Sequence, residues 1–106
     1  MTPRPLIAGN WKMNGLRESL AEARAIDKDL SRNPVEAQVA LCPPATLIAP
    51  LAALLEGTGI AVGGQDCRAE ENGPFTGDIA AEQLKDAGAT FVILGHSERR
   101  SGHGET

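Results

Sequence analysis

Lys12, His96 and Glu98 are residues whose types could do chemistry together. A lysine gives an anionic substrate a fixed positive charge. A histidine at the amino end of a helical turn feels the positive end of the backbone dipole, which favours neutral imidazole. Neutral imidazole can donate a hydrogen bond to a carbonyl oxygen and so stabilise an enolate. Glu98 can hold Lys12 by pairing with it, at the expense of partial neutralisation. Combined, the three suit proton transfer beside a carbonyl on a phosphorylated small molecule, although no general base is evident among the residues. Taken singly, each has an ordinary explanation. Lysine after a strand is usually a solvated charge, histidine after an apolar strand is often a satisfied structural residue, and Ser97-Glu98-Arg99-Arg100 reads equally as an exposed helix start capped by Ser97.

The elements that must position these residues alternate along the chain. Leu6-Ile7-Ala8, Val39-Ala40-Leu41-Cys42, Ile60-Ala61-Val62 and Phe91-Val92-Ile93-Leu94 are short apolar runs, read as buried strands. Between the first two, Leu16, Leu20, Ala23, Ile26 and Leu30 recur at helical spacing with charges on the other face, which predicts an amphipathic helix over 16–30. A second helix is expected through Leu55, with Thr46 as its N-cap or a start one or two residues later, Pro50 near its first turn and Gly57 just beyond its end. A third is expected after Asp78 as cap, with Ala80, Leu84 and Ala87 on one face and Gly88 at its end. Strand–helix alternation with continuously apolar strands predicts an α/β fold with a parallel sheet buried on both faces. The pattern permits a barrel or an open doubly wound sheet.

In parallel sheets the chemistry collects at the carboxyl ends of the strands. Every predicted strand here ends in polar or special residues: Asn10 and Lys12, Pro43-Pro44, Gln65-Asp66, and His96 through Arg99. No GxGxxG or GxxxxGK[ST] phosphate loop is present, nor HExxH or an EF-hand. Cys42 and Cys67 match no CxxC spacing, and His96 and His103, seven apart, give no support for a metal site. Aromatic content of 3% without tyrosine, and a net charge of -4 with dispersed basic residues, argue against a nucleic-acid partner. No apolar stretch approaches the roughly 20 residues of a membrane span. MTPRPLIAGNW lacks the apolar core of a signal peptide. Buried free thiols fit a reduced, cytoplasmic compartment.

AGNWKMNG at 8–15, LCPPAT at 41–46, GGQDC at 63–67, GPFTGD at 73–78 and ILGHSERR at 93–100 together resemble the triose-phosphate isomerase family, over essentially all 106 residues. The resemblance implies a (β/α)8 barrel, of which this chain supplies about the first half, as residues 1–106 of one domain incomplete at its carboxyl end. It implies interconversion of dihydroxyacetone phosphate and glyceraldehyde 3-phosphate, without cofactor or metal. It assigns the reaction to His96, Lys12 and Glu98, with His96 as the neutral electrophile for which the family is already known. It assigns substrate binding to Asn10 and Lys12, and support of the histidine to Ser97.

The same resemblance makes 65–78 the loop by which two subunits interlock, with Gln65, Phe75, Thr76 and Gly77 in it and Thr76 reaching the partner's site. Read from its residues alone, that loop is an ordinary solvated connection with an Asn72-Gly73-Pro74 turn. Asp66 departs from the family's more usual asparagine. A barrel of this kind takes about 250 residues, and the family's catalytic glutamate, lid and late phosphate loops match nothing in these residues. A non-catalytic half-barrel that associates with its own copies is the other reading.

Overall fold

A computed structural model describes residues 5–93. Four strands, β1 (Leu6–Asn10), β2 (Gln38–Cys42), β3 (Ile60–Gly64) and β4 (Phe91–Val92), form one sheet in the order β1-β2-β3-β4. All three pairings are parallel, with Asn10 opposite Cys42, Leu41 opposite Val62 and Gly63 opposite Phe91. Helices α1 (Leu20–Arg32), α2 (Ile48–Leu54) and α3 (Ala81–Ala87) fill the connections, and α2 packs on both α1 and α3. Strand order decides between the two architectures left open by periodicity. A doubly wound sheet reverses its order at a switch point, whereas here each strand lies beside its predecessor and the helices follow in series. This is the beginning of a (β/α)8 barrel.

The core lies between sheet and helices. Leu41, Ile60 and Val62 project from β2 and β3 onto Ala23 of α1, Ile48 and Leu51 of α2, and Leu84 of α3, all buried. Each fully buried Leu or Ile contributes about 1.5–3 kcal/mol relative to an exposed one. The opposite sheet face is built from small residues, Ala40, Ala61 and Gly63 among them, over which larger side chains can lie close to the backbone. The ring of Phe91 lies over Gly63, where a Cβ would sit 2.5 Å from it.

The first strand, read as buried, is not: Leu6 and Ile7 are 53% and 56% exposed, because β1 stands at the end of the sheet and pairs only with β2 among the described residues. Several boundaries also differ from those read in the sequence. Residues Arg17–Ser19 form a 3-10 turn, so α1 starts at Leu20 and Leu16 lies outside it, 69% exposed. The Leu16 N–H donates to Ser19 Oγ, and this local bond favours the tighter turn. Thr46 does not cap α2. It lies inside a second 3-10 turn, Ala45–Leu47, that starts from Pro44, and Pro50 is accommodated in the first turn of the helix. Nor does Asp78 cap α3: the Ala80 N–H donates to Gln83 Oε1, while Asp78 turns to Arg68. Gly88 does end α3, in the left-handed conformation with φ 114°. The fourth predicted strand extends to Leu94, which lies outside the described residues; of its described residues Phe91–Val92 form the strand, and Ile93 follows it with its N–H donating to the Gly64 carbonyl at 3.0 Å.

Gly63→Ala should destabilise the fold by about 1–3 kcal/mol, the usual cost of overpacking, because the new methyl group collides with the Phe91 ring. Urea unfolding of wild type and variant measures it; equal stability would show that the ring moves aside freely.

Candidate active site

The carboxyl ends of β1, β2 and β3 meet through one carbonyl. The oxygen of Cys42 accepts the Trp11 N–H at 3.0 Å and the side-chain amide of Gln65 at 2.9 Å. The Gln65 amide also donates to the carbonyl oxygen of Lys12, at 2.7 Å. On the other side of the same residue, the Lys12 N–H donates to Asn10 Oδ1 at 2.8 Å. This is a local Asx-type turn, which asparagine forms readily because its short side chain mimics a backbone carbonyl. Asn14 closes the loop by donating from Nδ2 to the Trp11 carbonyl at 2.9 Å.

Lys12 itself has φ 54°, the only positive φ outside glycine among the described residues. A non-glycine residue in the left-handed region is disfavoured by roughly 1–2 kcal/mol. Such strain persists where surrounding contacts over-determine the backbone, and it clusters at functional sites. Here both peptide groups flanking the Lys12 Cα are held by side chains from elsewhere. The Cα–Cβ bond of Lys12 therefore leaves the strand end in a set direction, and the residue is exposed.

Of the residues singled out in the sequence, Asn10, Lys12 and Gln65 come together here. Gln65 was expected in the subunit loop; it lies at the start of that loop, and its side chain points back into the β1–β2–β3 junction. His96, Ser97 and Glu98 lie outside the described residues. Residues 66–80 form a loop tied to itself rather than a loose connection. The Arg68 guanidinium stacks over the Phe75 ring at 3.6 Å and donates from Nη1 to Asp78 Oδ2 at 2.9 Å. Glu70 Oε2 lies 2.9 Å from Arg68 Nε, an ion pair rather than an aligned hydrogen bond. Backbone bonds from Arg68 N–H to Ile79 O and from Asp78 N–H to Phe75 O complete it. Thr76 and Gly77 are exposed, in the turn closed by the last of these bonds. Arg68 was not singled out in the sequence, and its spacing of seven from Phe75 and ten from Asp78 matches no periodic pattern.

The Cys42 side chain is fully buried, and desolvation pushes its thiol pKa up against a smaller opposing effect of a hydrogen bond with the Gly63 backbone. Among the described residues, no group of three or more His, Cys, Asp or Glu is placed to hold a metal ion, and no helix is long and apolar enough to cross a membrane.

Two outcomes follow from this geometry. The folded state keeps the Cys42 proton to higher pH than the unfolded state does, so stability should fall as pH rises through the ordinary thiol range near 8.5. Unfolding curves at a series of pH values should show this decline, and Cys42→Ala should flatten it. Arg68→Ala should speed hydrogen exchange at the Asp78 amide, and Arg68→Lys should not restore protection because ammonium cannot stack and pair as the planar fork does. Unchanged exchange would mean that the backbone bonds alone hold the loop.

The family model described as triosephosphate isomerase matches residues 5–106. The triosephosphate isomerase of Afipia carboxidovorans is 61% identical over 103 residues, covering 97% of this chain and 41% of that protein. That of Caulobacter vibrioides is 56% identical over 105 residues, covering 99% and 42%. The crystal structure of triosephosphate isomerase from Bartonella henselae superimposes with a TM-score of 0.91 at 50% identity, over 98% of this chain and 43% of that one. The chain thus spans about two fifths of the length of the curated relatives it matches. With a family match across nearly its whole length, and a pinned lysine at the end of its first barrel strand, this chain belongs to the triosephosphate isomerase family.

Proposed function

We propose that these residues form the amino-terminal half of a single barrel domain that interconverts dihydroxyacetone phosphate and glyceraldehyde 3-phosphate, in glycolysis and gluconeogenesis. The observation that carries this reading is Lys12, held in a strained conformation at the carboxyl end of β1 in a chain of this family. An ammonium carried from that strand end attracts the phosphate and the developing negative charge of the substrate. Asn10 orders the turn that presents it.

His96, in the role already known for the family, donates to the carbonyl oxygen as neutral imidazole. Glu98 pairs with Lys12, and Ser97 supports the histidine. A base from beyond these residues takes a proton from C1 of the ketose, and its electrons pass through the C1–C2 bond to the C2 oxygen, giving the enediolate. A proton then moves from the C1 hydroxyl to the C2 oxygen, and reprotonation at C2 yields the aldehyde. The self-tied loop at 66–80, with Thr76 exposed, fits the role of a rigid projection toward a second subunit in a cytoplasmic homodimer. The reading as a non-catalytic, self-associating half-barrel has no comparable support.

A coupled assay on glyceraldehyde 3-phosphate tests the proposal. Residues 1–106 alone should show no turnover, since general-base catalysis alone supplies about 10²–10⁴-fold. In the complete protein, Lys12→Met should raise KM at least about tenfold. Unchanged saturation behaviour would remove Lys12 as the anion anchor, and turnover by residues 1–106 that is lost in His96→Gln would show that the base need not lie elsewhere.

A further inference from the structure

Gln65 makes two long-range bonds from a single nitrogen, and both go to backbone carbonyls of the other two strand ends. One reaches Cys42 O at 2.9 Å, and the other Lys12 O at 2.7 Å. Lys12 is also the residue with φ 54°, and its N–H is held by Asn10 Oδ1 at 2.8 Å. A residue has two soft backbone angles, and the direction of its Cα–Cβ bond follows from the orientation of the two flanking peptide planes. Asn10 fixes the plane before the Lys12 Cα, and Gln65 fixes the plane after it. Asn10 acts from the same strand end, over two residues, whereas Gln65 acts from β3, fifty-three residues away in sequence. Without Gln65 the Lys12 carbonyl loses this donor, and one restraint that holds a non-glycine residue at positive φ is removed.

We propose that Gln65 is a positioning residue for the isomerase reaction, its carboxamide holding the Lys12 backbone so that the ammonium meets the phosphorylated substrate. This rests on the function proposed above. It gives Gln65 a task within its own chain, separate from any contact across subunits. Glutamine suits the task because its amide carries two N–H donors, one for each carbonyl. Methionine has a similar length and no donor.

The test is a double-mutant cycle in the complete protein, measuring kcat and KM on glyceraldehyde 3-phosphate for wild type, Gln65→Met, Lys12→Met and the double variant. Gln65→Met should raise KM about 5- to 50-fold with kcat changed less than about 3-fold, the range of coupling between residues in one network. In the Lys12→Met background the same change should move KM less than about 2-fold, because the charge being positioned is gone. Sedimentation and a thermal melt establish that the variants keep the fold and assembly of wild type.

A KM increase of equal size in both backgrounds would overturn the proposal, since it would show Gln65 acting through the general fold or the subunit contact. So would an unchanged KM in Gln65→Met beside a raised KM in Lys12→Met, which leaves the proposed function intact. Loss of the KM effect in Lys12→Met itself would instead overturn the functional reading, and this proposal with it. Should Gln65→Met fail to fold, Gln65→Asn keeps the amide but withdraws it by one methylene, and the same cycle with the same two outcomes decides.

Discussion

One carbonyl oxygen, that of Cys42, is where three strands are joined. Its two lone pairs are used by donors from the ends of β1 and β3, the Trp11 backbone and the Gln65 amide. A parallel ladder ordinarily stops at the strand end, leaving groups that must find partners in loops. Here they are satisfied by neighbouring strand ends instead. The loops that leave β1 and β3 are therefore fixed relative to each other before any ligand is considered. Lys12 inherits this order, since its carbonyl is held by the same amide.

The two sheet faces obey different rules. Toward the helices, Leu41, Ile60 and Val62 need volume to fill the space to Ile48 and Leu51. On the other face, Ala40, Ala61 and Gly63 keep the surface low, so that the Phe91 ring can lie across Gly63. Both requirements yield apolar residues, which is why the strands read as unbroken hydrophobic runs rather than alternating ones. The difference between faces is one of size rather than polarity.

Strands and helices are legible because apolar runs and amphipathic spacing leave strong local patterns, but burial is not: β2 and β3 are buried as their composition suggests, whereas the equally apolar Leu6 and Ile7 of β1 are exposed. Nor are the α2 and α3 caps. Thr46 and Asp78 have the chemistry of N-caps, but Thr46 sits in a 3-10 turn begun by Pro44, and Asp78 is claimed by Arg68. Local preference lost to a nearby turn in one case and to a distant charge in the other. Asn10, Lys12 and Gln65 were recognisable as polar residues at strand ends, and Phe75, Thr76 and Gly77 as parts of one loop. What could not be read was how they connect: Gln65 reaches Lys12 across fifty-three residues, and no sequence period encodes a bond that depends on three strands lying side by side. Family resemblance places Gln65 with the subunit loop, and the geometry adds bonds from its side chain to the Lys12 and Cys42 carbonyls.

The order β1-β2-β3-β4 also has a meaning in time. Each strand after the first finds a partner in the one made just before it, so β2, β3 and β4 need not wait for a distant segment to be synthesised; in a closed barrel that wait falls to β1 alone. Loop closure between such neighbours is brief in sequence terms, and domains generally acquire structure from the amino end as the chain emerges. A sheet that reversed its order at a switch point would have to insert later strands on the far side of earlier ones. In this chain, growth of the sheet and elongation by the ribosome run in the same direction.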